Sequence, residues 1–214
     1  MSPNLRKRLS REVSQQHTKQ RLLDAAKAEV VRGGVVGASI RGICEAAGFS
    51  QGAFYSNFES RDDLLLQLMT QHVSEEAQTL RLLVAETINA DFDATLRHLS
   101  ERLAELSQTP EWSLLAVELQ LYAQRDPAIA QRYEASKAAY HQEFANVVEG
   151  LVQRYGLEPA LPSLQIAIGL YSLWLGLAAQ GAVRGALPRG ALMLAFFRAT
   201  TGAPKNSAND ITNV

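Results

Sequence analysis

The chain has 214 residues, 47% hydrophobic and 20% charged, with a formal net charge of −1. This composition excludes a disordered or collagen-like chain, and the lone Cys44 excludes an internal disulfide. The near-neutral total hides an asymmetry: residues 1–62 carry ten Lys/Arg against six Asp/Glu, and residues 63–214 carry eleven against sixteen. A basic first third on an acidic remainder fits a polyanion at one end and a different partner elsewhere.

Met1 to Glu12 is polar and basic and lacks the apolar centre of a secretory signal, so a cytoplasmic location is expected. Residues 1–14 hold Arg6, Lys7, Arg8 and Arg11 without apolar periodicity and are expected to form a flexible basic arm, either a solvated tail or a DNA contact. From Gln15 the pattern turns helical. Leu22, Ala26 and Val30 share one face, and Gly33-Gly34 stops the helix. Ser39 caps the next helix, whose buried stripe is Ile40, Ile43, Cys44 and Ala47. Ser50 caps a third, short helix. Ser60-Arg61-Asp62-Asp63 is close to a capping box. It starts a long helix through Leu64, Leu65, Leu68, Met69 and Val73, reaching about Thr87.

Thr109-Pro110 and Asp126-Pro127 each place a capping residue before a proline at the first helical position. Gly156 and Pro159 separate two helices, and Gly185 and Pro188 separate the last two. No alternating apolar run marks a strand. Residues 203–214 are Pro/Asn/Ser-rich and expected to be disordered. The expected fold is all-α, with about nine helices.

The stretch from Ser39 to Phe58 reads as a helix-turn-helix within a DNA-binding domain over residues 15–60. Gly48 ends the first helix where a left-handed backbone is needed. Gln51 is suited to a base edge, adenine best. Gly52 and Ala53 are small enough to let the backbone approach the groove. Tyr55 and Asn57 offer polar tips to phosphate. Arg61, at the start of the next helix, adds a charge beside free amides. Arg41 lies in the first turn of the preceding helix, within reach of base or backbone. Phe54 and Phe58 point into the core.

The run Ala-Ala-Gly-Phe-Ser-Gln-Gly-Ala-Phe-Tyr-Ser-Asn-Phe-Glu-Ser-Arg-Asp-Asp-Leu-Leu resembles the TetR family of bacterial transcriptional repressors over about residues 15–70. The resemblance implies a homodimer with a helical ligand-binding and dimerisation domain, here residues 61–202. It places DNA contacts at Ser39, Arg41, Gln51, Gly52, Ala53, Tyr55, Asn57 and Arg61, with Ser50 as the cap of the recognition helix. Arg61 stands where the family usually has Lys, and Asn57 where His is common. Gly42 sits inside the first helix of the motif, at a cost of up to about 1 kcal/mol against Ala.

An aromatic stripe on the helix from Pro127 to Tyr155 is explained by core packing or, more sharply, by an effector pocket. The candidate lining is Trp112, Tyr122, Tyr133, Tyr140, His141, Phe144 and Trp174. Its low charge favours a mostly apolar molecule. Residues 159–183 carry no charge, yet Gln165, Gln180 and two prolines argue against a membrane span. A partner subunit is the better match, with dimer contacts expected at Gly169, Leu173, Gly176, Leu192, Phe196 and Phe197. Cys44 lies on an apolar face, where packing outweighs redox sensing. The four histidines are scattered without metal-ligand spacing, and no phosphate loop or nucleophile setting appears.

The function expected is therefore a non-enzymatic repressor, without cofactor or metal, that binds a double-stranded operator and is released by a small molecule. An activator or ligand-requiring repressor of the same fold, or a small all-helical enzyme, are the alternatives.

Overall fold

The computed structural model describes residues 3–181 and 183–202, with side chains from residue 13 onward. These residues form nine helices: α1 Pro3–Gly37, α2 Ile40–Ala47, α3 Gln51–Tyr55, α4 Arg61–Glu86, α5 Phe92–Ser107, α6 Pro110–Ala123, α7 Pro127–Tyr155, α8 Ser163–Gln180 and α9 Arg189–Thr201. Residues 3–14, expected as a flexible arm, belong to α1. No glycine or proline interrupts the chain between Pro3 and Gly33, so nothing stops the helix at Gln15. The expected break at Gly33-Gly34 is a kink, with Gly34 at φ 71° and ψ 179°. The tail from residue 203, expected to be disordered, lies outside the described residues.

The chain divides into two compact units. The first holds the described residues up to His72 together with Leu114–Tyr133, and the second holds Val73–Ser113 together with the described residues from Glu134. The first unit extends beyond residue 60, where the DNA-binding domain is expected to end, and α4, α6 and α7 each contribute to both units. The physical reason is size. Helices α2 and α3 are eight and five residues long and bury too little on their own. The start of α4 adds Leu64, Leu65, Leu68 and Met69, and α6 adds Leu115 and Leu119, all buried.

In the second unit, Leu96 and Leu99 of α5, Val148 and Leu151 of α7, Ile166 of α8 and Phe197 of α9 share one core. Arg154 near the end of α7 donates to the carbonyls of Val84 and Thr87 at the end of α4. The Tyr155 hydroxyl meets Thr95 at 2.6 Å. Helix α9 lies so close to α5 that a Cβ at Gly190 would stand 2.9 Å from that of Leu103.

Candidate nucleic-acid interface

Local chemistry sets the helix-turn-helix. The Ser39 hydroxyl accepts the Gly42 amide at 3.1 Å, capping α2. At the other end the Gly48 amide donates to Glu45 at 3.2 Å and the Phe49 amide to Cys44 at 2.9 Å. This paired arrangement closes a helix on a left-handed residue, and Gly48 has φ 72°. An added Cβ there would meet only the Arg21 guanidinium, at 3.6 Å. Gly48→Ala is therefore expected to cost the backbone penalty alone, about 1–2 kcal/mol. Chemical denaturation of wild type and variant checks it, and equal stability would show that the turn does not require a glycine.

Ser50 caps α3 by accepting the Ala53 amide at 3.2 Å. One side of α3 is anchored: Phe54 is fully buried and its ring lies 5.5 Å from that of Phe58. The other side exposes Gln51, Gly52 and Tyr55, with Ala53 half-buried. Ser39 and Arg41 are exposed at the start of α2. Arg41 pairs with Glu45 at 2.8 Å, both well exposed, a surface contact that a phosphate can displace. Arg61 is partly exposed at the start of α4 and reaches Asp62 at 3.2 Å.

Asn57 is half-buried, and its side-chain amide donates to the Ala53 carbonyl at 2.8 Å, satisfying the end of α3. Cys44 is buried, and burial, followed by the nearby Glu45 charge, pushes its thiol pKa up, which keeps it protonated and unreactive. Two cations of α1 escaped the sequence reading. Arg21 lies over the Phe49 ring at 5.0 Å and Lys19 over Phe58 at 5.7 Å, bracing the turn.

The expected effector residues fall into different units. Tyr122 and Tyr133 belong to the first, and Trp112, Tyr140, His141, Phe144 and Trp174 to the second. Tyr133 is 2% exposed and its hydroxyl donates to the Ala116 carbonyl at 3.0 Å, a core role. In the second unit the rings of Tyr140, His141 and Phe144 surround Tyr171 of α8, with centroids 5.1, 5.4 and 5.7 Å away. Burial, helped by Lys137, lowers the His141 pKa and favours neutral imidazole. Trp174 is covered by the Arg189 guanidinium at 3.7 Å, a contact with no sequence spacing to announce it. Among the described residues no group of His, Cys, Asp or Glu is arranged to hold a metal ion.

On the expected dimer face, Gly169 and Phe196 are exposed, and Leu173, Gly176 and Leu192 are half-buried. Phe197 is different. It is 4% exposed and packs into the core of its own protomer, one residue round the helix from Phe196.

Two family models match the chain. Residues 22–68 match the tetR family of bacterial regulatory proteins, and residues 92–202 match the C-terminal domain of BetI-type transcriptional repressors. No curated protein matches in sequence. Among solved structures the fold is similar to the reduced form of E. coli NemR, with TM-score 0.62 and 19% identity over 88% of this chain and 100% of that one. It is also similar to the regulator FadR from Bacillus subtilis in complex with stearoyl-CoA, with TM-score 0.60 and 15% identity over 87% and 99% of the two chains. Salmonella enterica GusR gives 0.59 and 16% over 86% and 95%. At these identities the likeness concerns the fold. With its recognition helix exposed and both parts matched, the chain belongs to the tetR family of bacterial regulatory proteins and is a DNA-binding transcriptional regulator with a BetI-type C-terminal domain.

Proposed function

We propose that this regulator is a homodimeric repressor that releases its operator when a small, mostly apolar molecule binds its C-terminal domain. The observation that carries the DNA-binding half is the two-sidedness of α3. Phe54 fixes it from below while Gln51, Gly52 and Tyr55 remain exposed, the arrangement a helix needs to enter a major groove. Gln51 reads base edges, Tyr55 and Arg61 hold phosphates, and Ser39 and Arg41 flank them.

The effector half is supported by the low-charge ring cluster on α7 and α8 and by FadR, a relative that holds stearoyl-CoA. Such a molecule acts only by binding one conformation more tightly than the other. The dimer is supported by α8. It is the one helix among the described residues long and apolar enough to cross a membrane, yet only 11% of it is buried in the protomer. Gln165 and Gln180 lie on it, and two glycines permit close approach, so a second copy suits it better than lipid. Such a protein works in the cytoplasm, and no cofactor or catalytic step enters this reading.

The test is binding to a duplex that the wild-type protein selects from a random pool. Arg61→Ala is expected to weaken binding to every sequence and to flatten the dependence of log affinity on log salt by about one per protomer. Gln51→Ala is expected to relax base preference at one position and leave the salt slope alone. An Arg61→Ala affinity equal to wild type at every salt concentration rules out the phosphate contact.

A further inference from the structure

The first turn of α4 carries Arg61, Asp62 and Asp63 in a row, and a residue far along the chain holds the second carboxylate. Asp63 is 3% exposed. It accepts the Glu59 amide at 3.0 Å, the Gln67 side chain at 2.9 Å and the guanidinium of Arg132, in the first turns of α7. Arg132 also donates to the Glu59 carboxylate at 3.2 Å. Ser60 completes the cap by accepting the Asp63 amide at 3.0 Å. The turn that leaves the recognition helix is thus bound on both flanks to one arginine.

Tyr122, near the end of α6, feels the Asp62 charge, which is the main cause that raises the tyrosine pKa. The same Asp62 accepts Arg61 at 3.3 Å from Nε and 3.2 Å from Nη2. Arg61 is therefore tied to Asp62, and its backbone stands one residue from the Ser60–Asp63 cap. All of these residues belong to the first compact unit.

Two physical needs meet here. A long, partly exposed arginine loses rotamer freedom when it grips a phosphate, and holding it beforehand reduces that loss. Two adjacent carboxylates would also repel the phosphate, although the helix N-terminus favours them. Donors aimed at both carboxylates offset the repulsion while fixing the turn. The geometry points to Arg132 as a positioning residue for the Arg61 phosphate contact, acting through Asp63 and the turn it fixes without touching DNA itself. This rests on the proposed phosphate role of Arg61.

The rival is a purely structural cap and ion pair. A double-mutant cycle separates the two, with affinity for the selected duplex measured against salt in Arg61→Ala, Arg132→Met, Arg132→Lys and the two doubles that add Arg61→Ala. Arg132→Met keeps the aliphatic stem. It is expected to lower affinity about tenfold, the scale for residues sharing one network. It should flatten the salt slope by about one per protomer, as losing the Arg61 contact would. Adding Arg61→Ala should then cost no more than about a further twofold. Arg132→Lys keeps the charge but not the two-pronged grip on Glu59 and Asp63, and should act in the same direction by about threefold.

Losses that simply multiply, with Arg61→Ala keeping its full effect in both backgrounds, overturn the proposal. So does a weakened variant whose salt slope is that of wild type. Arg132→Met strands a buried carboxylate, so if it fails to fold, Arg132→Lys decides alone because it leaves a cation beside that carboxylate. If Arg61→Ala by itself changes neither affinity nor slope, the phosphate reading fails first and the positioning role with it.

Discussion

Tyr140→Ala is expected to cost the protein about 3–5 kcal/mol of stability, the range for emptying a large buried aromatic site. Tyr140 is 1% exposed and its ring touches His141 at 4.9 Å and Tyr171 at 5.1 Å. Removing it opens a cavity between α7 and α8 that a helix pair cannot close by small shifts. For a chain of this size the loss corresponds to a fall of roughly 6–20 °C in melting temperature. DNA binding and effector response should then deteriorate together at any temperature near the new midpoint. Tyr140→Phe keeps the ring and separates the two roles, because a hydroxyl that holds an effector would be missed there while packing would not. Thermal unfolding followed by circular dichroism, with effector titration at 10 °C below each midpoint by the same scale, gives the measurement. A melting point unchanged in Tyr140→Ala, with only the effector requirement raised, would mean that the ring lines an opening and is not core.

The periodic and local features of the chain were legible in its sequence, and the reasons are physical. Ser39, Ser50 and Asp126 cap helices because a short polar side chain before an apolar repeat reaches only the next turn; Asp126 accepts the Ala128 amide at 2.9 Å. Ser60 accepts the Asp63 amide as a capping box requires, while the Asp63 carboxylate takes the Glu59 amide one residue earlier in place of that of Ser60. Thr109 looked alike and behaves differently, since its hydroxyl turns back to the Leu106 carbonyl of α5. A proline next to it leaves either direction open. The exposed side of α3 followed from Phe54 and Phe58 being four residues apart. By contrast, Arg132 meets Asp63 across 69 residues, and Arg189 covers Trp174 from the following helix. Such pairs leave no periodicity behind, and any of the chain's arginines satisfies the same composition. Whether seven aromatics on several helices share one effector site is undetermined by spacing for the same reason. Helical spacing assigns a residue to a face of its helix, but which neighbour meets that face is decided by tertiary packing.

Gly176→Leu is expected to leave the protomer folded and to abolish dimerisation. Gly176 lies inside α8, and a Cβ built on it meets nothing within 4 Å in the protomer. Leucine is the better helix former by up to about 1 kcal/mol, so the isolated helix gains. The cost arises only if another chain occupies that space. Gly169, Leu173 and Gly176 fall on one helical stripe, and an added Cβ at Gly169 also meets open space. Phe196 of α9 is 50% exposed, a large apolar ring for a protein in water. Small residues beside exposed apolar ones let two helix backbones approach, and a leucine side chain between them forces the pair apart. Once the dimer is lost, two half-sites are no longer held by one molecule. Affinity for the full operator should fall by roughly 10²–10⁴, the advantage that linkage of two binding modules supplies. Affinity for a single half-site should stay as it was, because α3 and its supports lie in the first unit. Sedimentation at low micromolar concentration, together with titration of full and half operators, decides the matter. A wild-type protein that sediments as a monomer would sink the dimer, and a Gly176→Leu protein that stays dimeric with full affinity would place the interface away from this stripe.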